Sequence, residues 1–190
     1  EKVRFAIAGL GRLGKIHADQ LQNQIPGAEI TAACSIDDRE LDYARNVLGV
    51  KKTFLNYDEM IDDGDFDAVA IVTSSAAHCG QLTRALEAGK HVFCEKPLGV
   101  TMEECLAAEK VVNAHPELIF QLGFMRRFDP SYRYAMKKIR AGMISEPYFV
   151  KAVGLDPLKL LPGAMNFLAT SGGIFVDMAI HDIDLMRWFL

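Results

Sequence analysis

The fold is decided near the start of the chain by the sequence VRFAIAGLGRLG, residues 3–14. Its first half is an apolar run typical of a buried strand, and its second half fits the pattern GxGxxG at Gly9, Gly11 and Gly14. After a strand and before a helix, the first glycine permits a tight turn and the second lets the backbone approach a pyrophosphate. The third allows close helix–strand packing. We therefore predict a dinucleotide-binding loop, with a plain strand–turn–helix as the alternative.

The same stretch nearly matches the P-loop of nucleoside triphosphatases, GxxxxGK. A P-loop continues with a Ser or Thr that holds magnesium, whereas this chain has Ile16 at that position. The sequence therefore argues against a nucleoside triphosphatase.

Residues 1–121 alternate between apolar strand patterns and helical patterns, which is typical of a doubly wound parallel sheet. We expect this part to be a Rossmann dinucleotide-binding domain. Thr101 and Glu104 have the spacing of a helix capping box. The predicted strands are 3–8, 29–35, 53–54, 66–72, 91–95 and 118–123, and the predicted helices are 14–24, 38–48, 58–62, 78–88 and the one that follows Thr101.

Residues 122–190 do not continue the alternation of strands and helices. The predicted helices are 131–140 and the segment from Gly173 to the end, and one strand is predicted over 147–153. A lone strand cannot form a sheet, and Trp188 and its neighbours would lack a cover. We therefore expect the beginning of an α+β domain with an open-faced sheet, which is incomplete in this chain or covered by partner chains.

The composition excludes several classes of protein. The 190 residues include 21 Lys plus Arg and 25 Asp plus Glu, a formal charge of −4, and 50% are hydrophobic. These values exclude disordered, collagen-like and coiled-coil chains. Without a basic run or an apolar stretch of about 18 residues, the sequence predicts neither a nucleic-acid partner nor a membrane span.

The cysteines and the start of the chain bear on the compartment. Cys34, Cys79, Cys94 and Cys105 stand far apart, without the CxxC or CxxH spacing of metal sites. This pattern predicts core thiols in a reducing compartment. The first residues pass straight into a strand pattern without a leader peptide. We therefore expect a cytoplasmic protein.

The end of the second predicted strand bears on the choice of cofactor. Asp37 lies 23 residues after Gly14, near the separation at which a carboxylate binds the ribose of NAD. Alternatively, Ser35 occupies that position and Arg39 meets the phosphate of NADP. A third interpretation makes Asp37 and Asp38 helix caps. The sequence favours NAD and leaves NADP possible.

Glu95-Lys96-Pro97 follows the fifth predicted strand, at the edge where open α/β sheets bind ligands. A residue before proline is restricted to extended conformations, and the bond can be cis, so the direction of the lysine side chain is constrained. The alternative is an ordinary surface turn.

A polar stripe crosses the otherwise apolar last helix. Asp177, His181 and Asp184 are separated by four and then three residues, so they lie on one face. We interpret the stripe as facing a cleft, and the alternative is a set of ion pairs within the fold. A zinc site would need another strong ligand, so we predict no metal.

Four segments occur in this order along the chain: Gly9–Gly14, Glu95–Pro97, Gly123–Pro130 and Ser171–Asp184. Together they resemble the Gfo/Idh/MocA oxidoreductases, and within that family the inositol 2-dehydrogenases. Members of the family have a Rossmann domain followed by an open-faced sheet domain.

The resemblance implies NAD(P)-dependent oxidation of a secondary hydroxyl of a cyclic polyol or sugar, with myo-inositol giving the 2-keto inosose as the leading case. It also implies a homo-oligomer, a dimer or tetramer, in the full-length protein. By resemblance, Lys96 would hydrogen-bond the reacting oxygen, His181 would be the general base and Asp177 would hold a neighbouring hydroxyl. Arg127 and Asp156 are further candidate substrate contacts.

The candidate cofactor contacts lie at the ends of the predicted strands and in the glycine loop. They are Gly9, Gly11, Arg12, Leu13, Gly14, Ser35, Asp37, Thr73, Ser74, His78, Glu95 and Lys96.

One departure from the inositol dehydrogenases concerns the substrate. They tend to have Ser-Arg-Asp-Pro where this chain has Gly154-Leu155-Asp156-Pro157. The lost arginine leaves a different cyclic polyol or sugar open. A non-catalytic sensor of NAD(P) or sugar is the alternative function. The presence of both Lys96 and His181 counts against it, because a sensor needs no proton shuttle.

Overall fold

A computed structural model describes residues 2–155, 157–160, 165 and 171–190. The chain divides into two units, Glu1–Leu122 and Gly123–Leu190.

The first unit is built on a six-stranded parallel sheet with the strand order β3-β2-β1-β4-β5-β6. This topology confirms the predicted doubly wound fold. The strand order reverses between β1 and β4, and ligands of such sheets bind in the crevice at the carboxyl ends of the strands flanking that point. The strands are β1 (Val3–Ala8), β2 (Ala28–Cys34), β3 (Lys52–Phe54), β4 (Ala68–Ile71), β5 (His91–Cys94) and β6 (Phe120–Leu122).

Five α-helices connect these strands, and each begins within two residues of its predicted start. The capping box of Thr101 and Glu104 is present and confirms that prediction. The helices are α1 (Arg12–Asp19), which continues as a π-helical turn (Gln20–Gln24), α2 (Asp38–Asn46), α3 (Tyr57–Asp63), α4 (His78–Glu87) and α5 (Met102–Ala114).

The sheet is buried on both faces, which explains why its strands are almost wholly apolar. Successive residues of β4 point to opposite faces of the sheet and pack in different hydrophobic cores. Val69 packs in the core that contains Leu82 of α4, whereas Ala70 packs in the core that contains Leu41 of α2. All four residues of β4 are buried, so this central strand holds the two helical layers together.

The four cysteines are free thiols. Cys34 and Cys94 lie in the core, and burial raises the pKa of the Cys34 thiol to about 11. In the described part of the chain, no helix has the length and apolar character to cross a membrane.

The second unit contains two α-helices in its described residues, α6 (Pro130–Arg140) and α7 (Ile180–Phe189). A π-helical turn (Phe175–Ala179) leads into α7. The carboxylate of Asp129 caps α6 by accepting hydrogen bonds from the backbone N–H groups of Ser131 and Tyr132.

The strand predicted over 147–153 is wrong, because this segment has no regular secondary structure. A strand is stabilised by pairing with another strand. Among the described residues, every paired strand belongs to the sheet of the first unit. Three apolar residues of the segment, Tyr148, Phe149 and Val153, are exposed.

We predict that Gly14→Ala destabilises the protein by about 2 kcal/mol or more, because a Cβ atom at residue 14 would lie 2.0 Å from the carbonyl oxygen of Gly9. Backbone would have to move to relieve this clash. The unfolding midpoint in urea measures the effect.

The matched control is Gly80→Ala in α4, where an added Cβ atom meets no atom within 4 Å. It should be neutral or stabilise by up to about 1 kcal/mol, as alanine does in a helix. Equal unfolding midpoints for Gly14→Ala and wild type would contradict the packing explanation.

Candidate functional site

The glycine loop is fixed by two close backbone approaches. Gly9 has a φ of 88°, and a Cβ atom there would lie 2.5 Å from the carbonyl oxygen of Val72. Gly14 rests against the carbonyl group of Gly9. The N–H of Gly9 donates to the carbonyl of Cys34 at 2.8 Å. These contacts set the start of α1 directly at the carboxyl end of β1.

Gly11 has a different role, because packing does not require it to be glycine. It is the N-cap residue of α1, and the nearest described atom to a Cβ there, apart from its chain neighbours, is Glu40 Oε1 at 3.8 Å. Its small size therefore leaves room beside the amino end of α1, where exposed Arg12 and half-buried Leu13 follow. The first N–H groups of a helix attract anions. This arrangement fits the pyrophosphate of a dinucleotide.

Ser35 and Asp37, the candidates for the ribose, are engaged within the protein. The Ser35 hydroxyl donates to Glu40 Oε2 at 2.6 Å and accepts from the backbone N–H of Asp37 at 3.1 Å. Asp37 caps α2 and forms an ion pair with Arg39 at 2.8 Å. The hydrogen bonds from Arg39 lower the pKa of Asp37. The interpretation of Asp37 as a helix cap is confirmed, and its binding of ribose stays a proposal.

Glu40 is a residue that the sequence analysis missed. Its signal in the sequence is a glutamate three residues after the capping residue Asp37. In a capping box such a glutamate accepts from the backbone of the cap. Here its Oε2 atom accepts from the Ser35 hydroxyl.

The Lys-Pro turn follows β5, and the peptide bond between Lys96 and Pro97 is cis, which the sequence permitted. The carboxylate of Glu95 is held from two sides: Oε1 lies 2.9 Å from His17 Nε2, and Oε2 accepts from the backbone N–H of Lys96 at 3.1 Å. Its side chain is 12% exposed. Burial opposes ionisation, yet these two hydrogen bonds hold the pKa of Glu95 below its ordinary value.

His17 is a second residue that the sequence analysis missed. It lies on α1 three residues after Gly14, and its ring packs against Phe93 at 5.2 Å between centroids. Because it contacts Glu95, it links the helix of the glycine loop to the turn that carries Lys96.

His78 occupies a different place from the one expected for a cofactor contact. Its side chain is among the largest in the core, with 1% of the residue exposed. Nδ1 lies 2.7 Å from the carbonyl oxygen of Pro97, and Nε2 lies 3.2 Å from that of Thr73. Both ring nitrogens thus contact the loops that follow β4 and β5, and a contact of His78 with the cofactor stays a prediction.

In the second unit, the predicted polar stripe separates into parts with different environments. Asp184 is 8% exposed and forms a two-point ion pair with Arg127, with N···O distances of 2.8 and 2.7 Å. Asp182 pairs with Arg126. The alternative interpretation as ion pairs within the fold is therefore correct for Asp184.

The two remaining residues of the stripe, Asp177 and His181, are half-buried. Asp177 lies in the π-helical turn and His181 in the first turn of α7. Arg127, the candidate substrate contact, is the partner of Asp184. Asp156, the other candidate substrate contact, lies outside the described residues. The described ranges contain no group of three or more His, Cys, Asp or Glu side chains that could hold a metal ion.

Comparison with known proteins identifies the family to which the chain belongs. Residues 3–124 match the model of the Gfo/Idh/MocA oxidoreductase family, an NAD-binding Rossmann fold. The chain belongs to this family. Residues 132–190 match the model of the Gfo/Idh/MocA C-terminal domain. The resemblance found in the sequence is confirmed.

Inositol dehydrogenases are among the curated relatives. The scyllo-inositol 2-dehydrogenase (NAD(+)) of Bacillus subtilis is 40% identical over the whole chain, which covers 54% of that protein. The myo-inositol 2-dehydrogenase of Thermotoga maritima is 33% identical over 99% of the chain and 55% of its own length. The chain therefore spans about half the length of these relatives.

Solved structures give the same picture. The myo-inositol 2-dehydrogenase of Lactobacillus plantarum has a TM-score of 0.95 at 48% identity, over 100% of this chain and 56% of that one. The scyllo-inositol dehydrogenase of Lactobacillus casei with bound NAD(H) and scyllo-inositol has a TM-score of 0.95 at 45% identity, with the same coverage.

We predict that Glu95→Gln lowers the free energy of unfolding by about 1–3 kcal/mol at pH 7, because it removes a carboxylate that accepts two hydrogen bonds. The pKa of Glu95 is lower in the folded than in the unfolded state. Its contribution is therefore present above its unfolded pKa and is lost as the pH falls through the folded pKa. Urea unfolding between pH 7 and pH 3 should show that the free energy of unfolding depends less on pH in the variant than in the wild type.

The control is Glu117→Gln, which removes an exposed carboxylate. It should keep both the stability at pH 7 and the shape of the wild-type profile. A Glu95→Gln profile parallel to that of the wild type would show that the pair with His17 contributes nothing to the pH dependence.

Proposed function

We propose that the protein is an NAD-dependent dehydrogenase that oxidises a secondary hydroxyl of a cyclic polyol or sugar, with myo-inositol to the 2-keto inosose as the leading reaction. The observation that carries this proposal is the open space at Gly11, beside the amino end of α1 and at the switch point of the sheet. The inositol dehydrogenases among the relatives support the class of substrate.

The chain's own residues would bind and orient the dinucleotide. The loop from Gly9 to Gly14 would meet the pyrophosphate, and the segments after β4 and β5, with Thr73, Ser74 and Glu95, would border the nicotinamide end. When bound, NAD supplies the acceptor for the hydride that leaves the substrate carbon.

Lys96 would hydrogen-bond the reacting hydroxyl oxygen. An ammonium group at that oxygen favours the alkoxide-like state that develops as the C–H bond breaks. A fixed backbone at this residue is supported by the carboxylate of Glu95, which accepts a hydrogen bond from the backbone N–H of Lys96.

His181 would take the hydroxyl proton. Imidazole titrates near neutrality, so it can accept a proton at physiological pH and release it afterwards. As the proton moves to the imidazole and the hydride leaves the carbon, the C–O bond becomes a carbonyl. Asp177 would hold a neighbouring hydroxyl, and the Arg127–Asp184 pair would keep α7 in position.

The assembly and the location complete the proposal. We propose a homo-oligomer, a dimer or tetramer, which would cover exposed apolar side chains of the second unit such as Phe149 and Phe175. The free thiols support a reducing compartment, and we propose the cytoplasm.

Formation of NADH, followed by its absorbance across a panel of inositols and sugars with the full-length protein, tests the activity. We predict that Lys96→Ala and His181→Ala each lower kcat by about 10²–10⁴-fold, the usual effect of losing acid–base assistance, while NAD binding persists.

Lys110→Ala, at an exposed lysine of α5, is the matched control and should keep wild-type turnover. Turnover retained in Lys96→Ala or His181→Ala would disprove the assigned roles. If the wild type binds NAD but oxidises no polyol or sugar, the result would favour the sensor.

A further inference from the structure

A carboxylate reaches the end of β2 by an indirect route. Ser35 is the first residue after β2, at the place where NAD-binding folds commonly present an acidic side chain to the ribose. It is 5% exposed, and its hydroxyl donates to Glu40 Oε2 at 2.6 Å. The first turn of α2 therefore supplies the carboxylate that β2 lacks.

The other oxygen of Glu40 lies toward the glycine loop. Glu40 Oε1 is 3.8 Å from the place that a Cβ atom on Gly11 would occupy, and among the described residues that are not its chain neighbours no other atom lies within 4 Å of that place. One oxygen is thus anchored by Ser35, while the other borders the space that Gly11 leaves open.

The other charged groups of this turn are already paired. Asp37 accepts from the backbone N–H of Arg39 at 2.9 Å, and its other oxygen pairs with the guanidinium group. The guanidinium group of Arg39 is 89% exposed, and this ion pair turns it toward Asp37. Lys15 lies 5.1 Å from the centre of the Tyr43 ring.

We infer that Glu40 is the residue that selects NAD over NADP. Its carboxylate accepts hydrogen bonds from the hydroxyls of the adenosine ribose and repels the 2′-phosphate of NADP, since like charges at close range disfavour binding. This inference rests on the proposed dinucleotide site, and it is independent of the substrate that is oxidised.

Titration calorimetry of the full-length protein with NAD and with NADP, without substrate, tests the inference. The wild type should bind NAD at least about 10-fold more tightly than NADP. Glu40→Gln preserves the size of the side chain and an acceptor for Ser35 but removes the charge. We expect the ratio of the NADP dissociation constant to the NAD dissociation constant to fall by about 10-fold or more, mainly because NADP binds more tightly to the variant.

Asp38→Asn is the matched control, because it removes an exposed negative charge from the same turn of α2. It should keep the wild-type ratio within about 2-fold, as expected for a screened surface charge. Thermal unfolding of each variant checks that its fold is retained.

The outcomes separate the two proposals. An unchanged ratio in Glu40→Gln, an equal change in Asp38→Asn, or a wild type that prefers NADP would overturn the role of Glu40 alone. A wild type that binds neither dinucleotide would overturn the dinucleotide site and the role of Glu40 together.

Discussion

The close approach of α1 to the end of β1 is the constraint on which the rest of the first unit depends. Only a residue without a side chain fits at Gly14 against the carbonyl group of Gly9. This contact places the amino end of α1 at the point where the strand order reverses. It also fixes the rotation of α1, so that His17, one turn further on, meets Glu95. One backbone contact thereby aligns the glycine loop with the turn that carries Lys96.

Partly buried carboxylates hold the segments that carry the proposed catalytic residues. Glu95 is fixed by His17 and by the backbone of Lys96, and Asp184 is fixed by Arg127. Removing the partner of such a carboxylate is costly, because it leaves a partly buried polar group without its hydrogen bond. Such pairs therefore favour a single arrangement of the backbone, which a site for proton and hydride transfer requires.

The sequence predicted what depends on local patterns. The apolar runs of β1 and β5, the capping box at Thr101 and the glycine loop are all determined by neighbouring residues, and the structure has each of them. The strand expected over 147–153 was wrong because a strand depends on a partner elsewhere in the chain.

Side-chain pairs between distant segments were also beyond the sequence. His17 meets Glu95 across 78 residues, and Arg127 meets Asp184 across 57. No local spacing encodes such pairs, since they arise only when the fold brings the segments together. Glu40 lies closer in sequence to its partner Ser35, but its position resembled that of an ordinary capping residue.

We propose that the space beside Gly11 receives the pyrophosphate of a dinucleotide. Calorimetric titration of wild type and Gly11→Ala with NAD tests it directly, because the nearest described atom to the added Cβ, apart from its chain neighbours, is 3.8 Å away and the fold should be retained. We predict an unchanged unfolding temperature and NAD binding weakened by at least about 10-fold, because the methyl group would occupy the place of the ligand. Equal affinities for NAD in the two proteins would contradict the account.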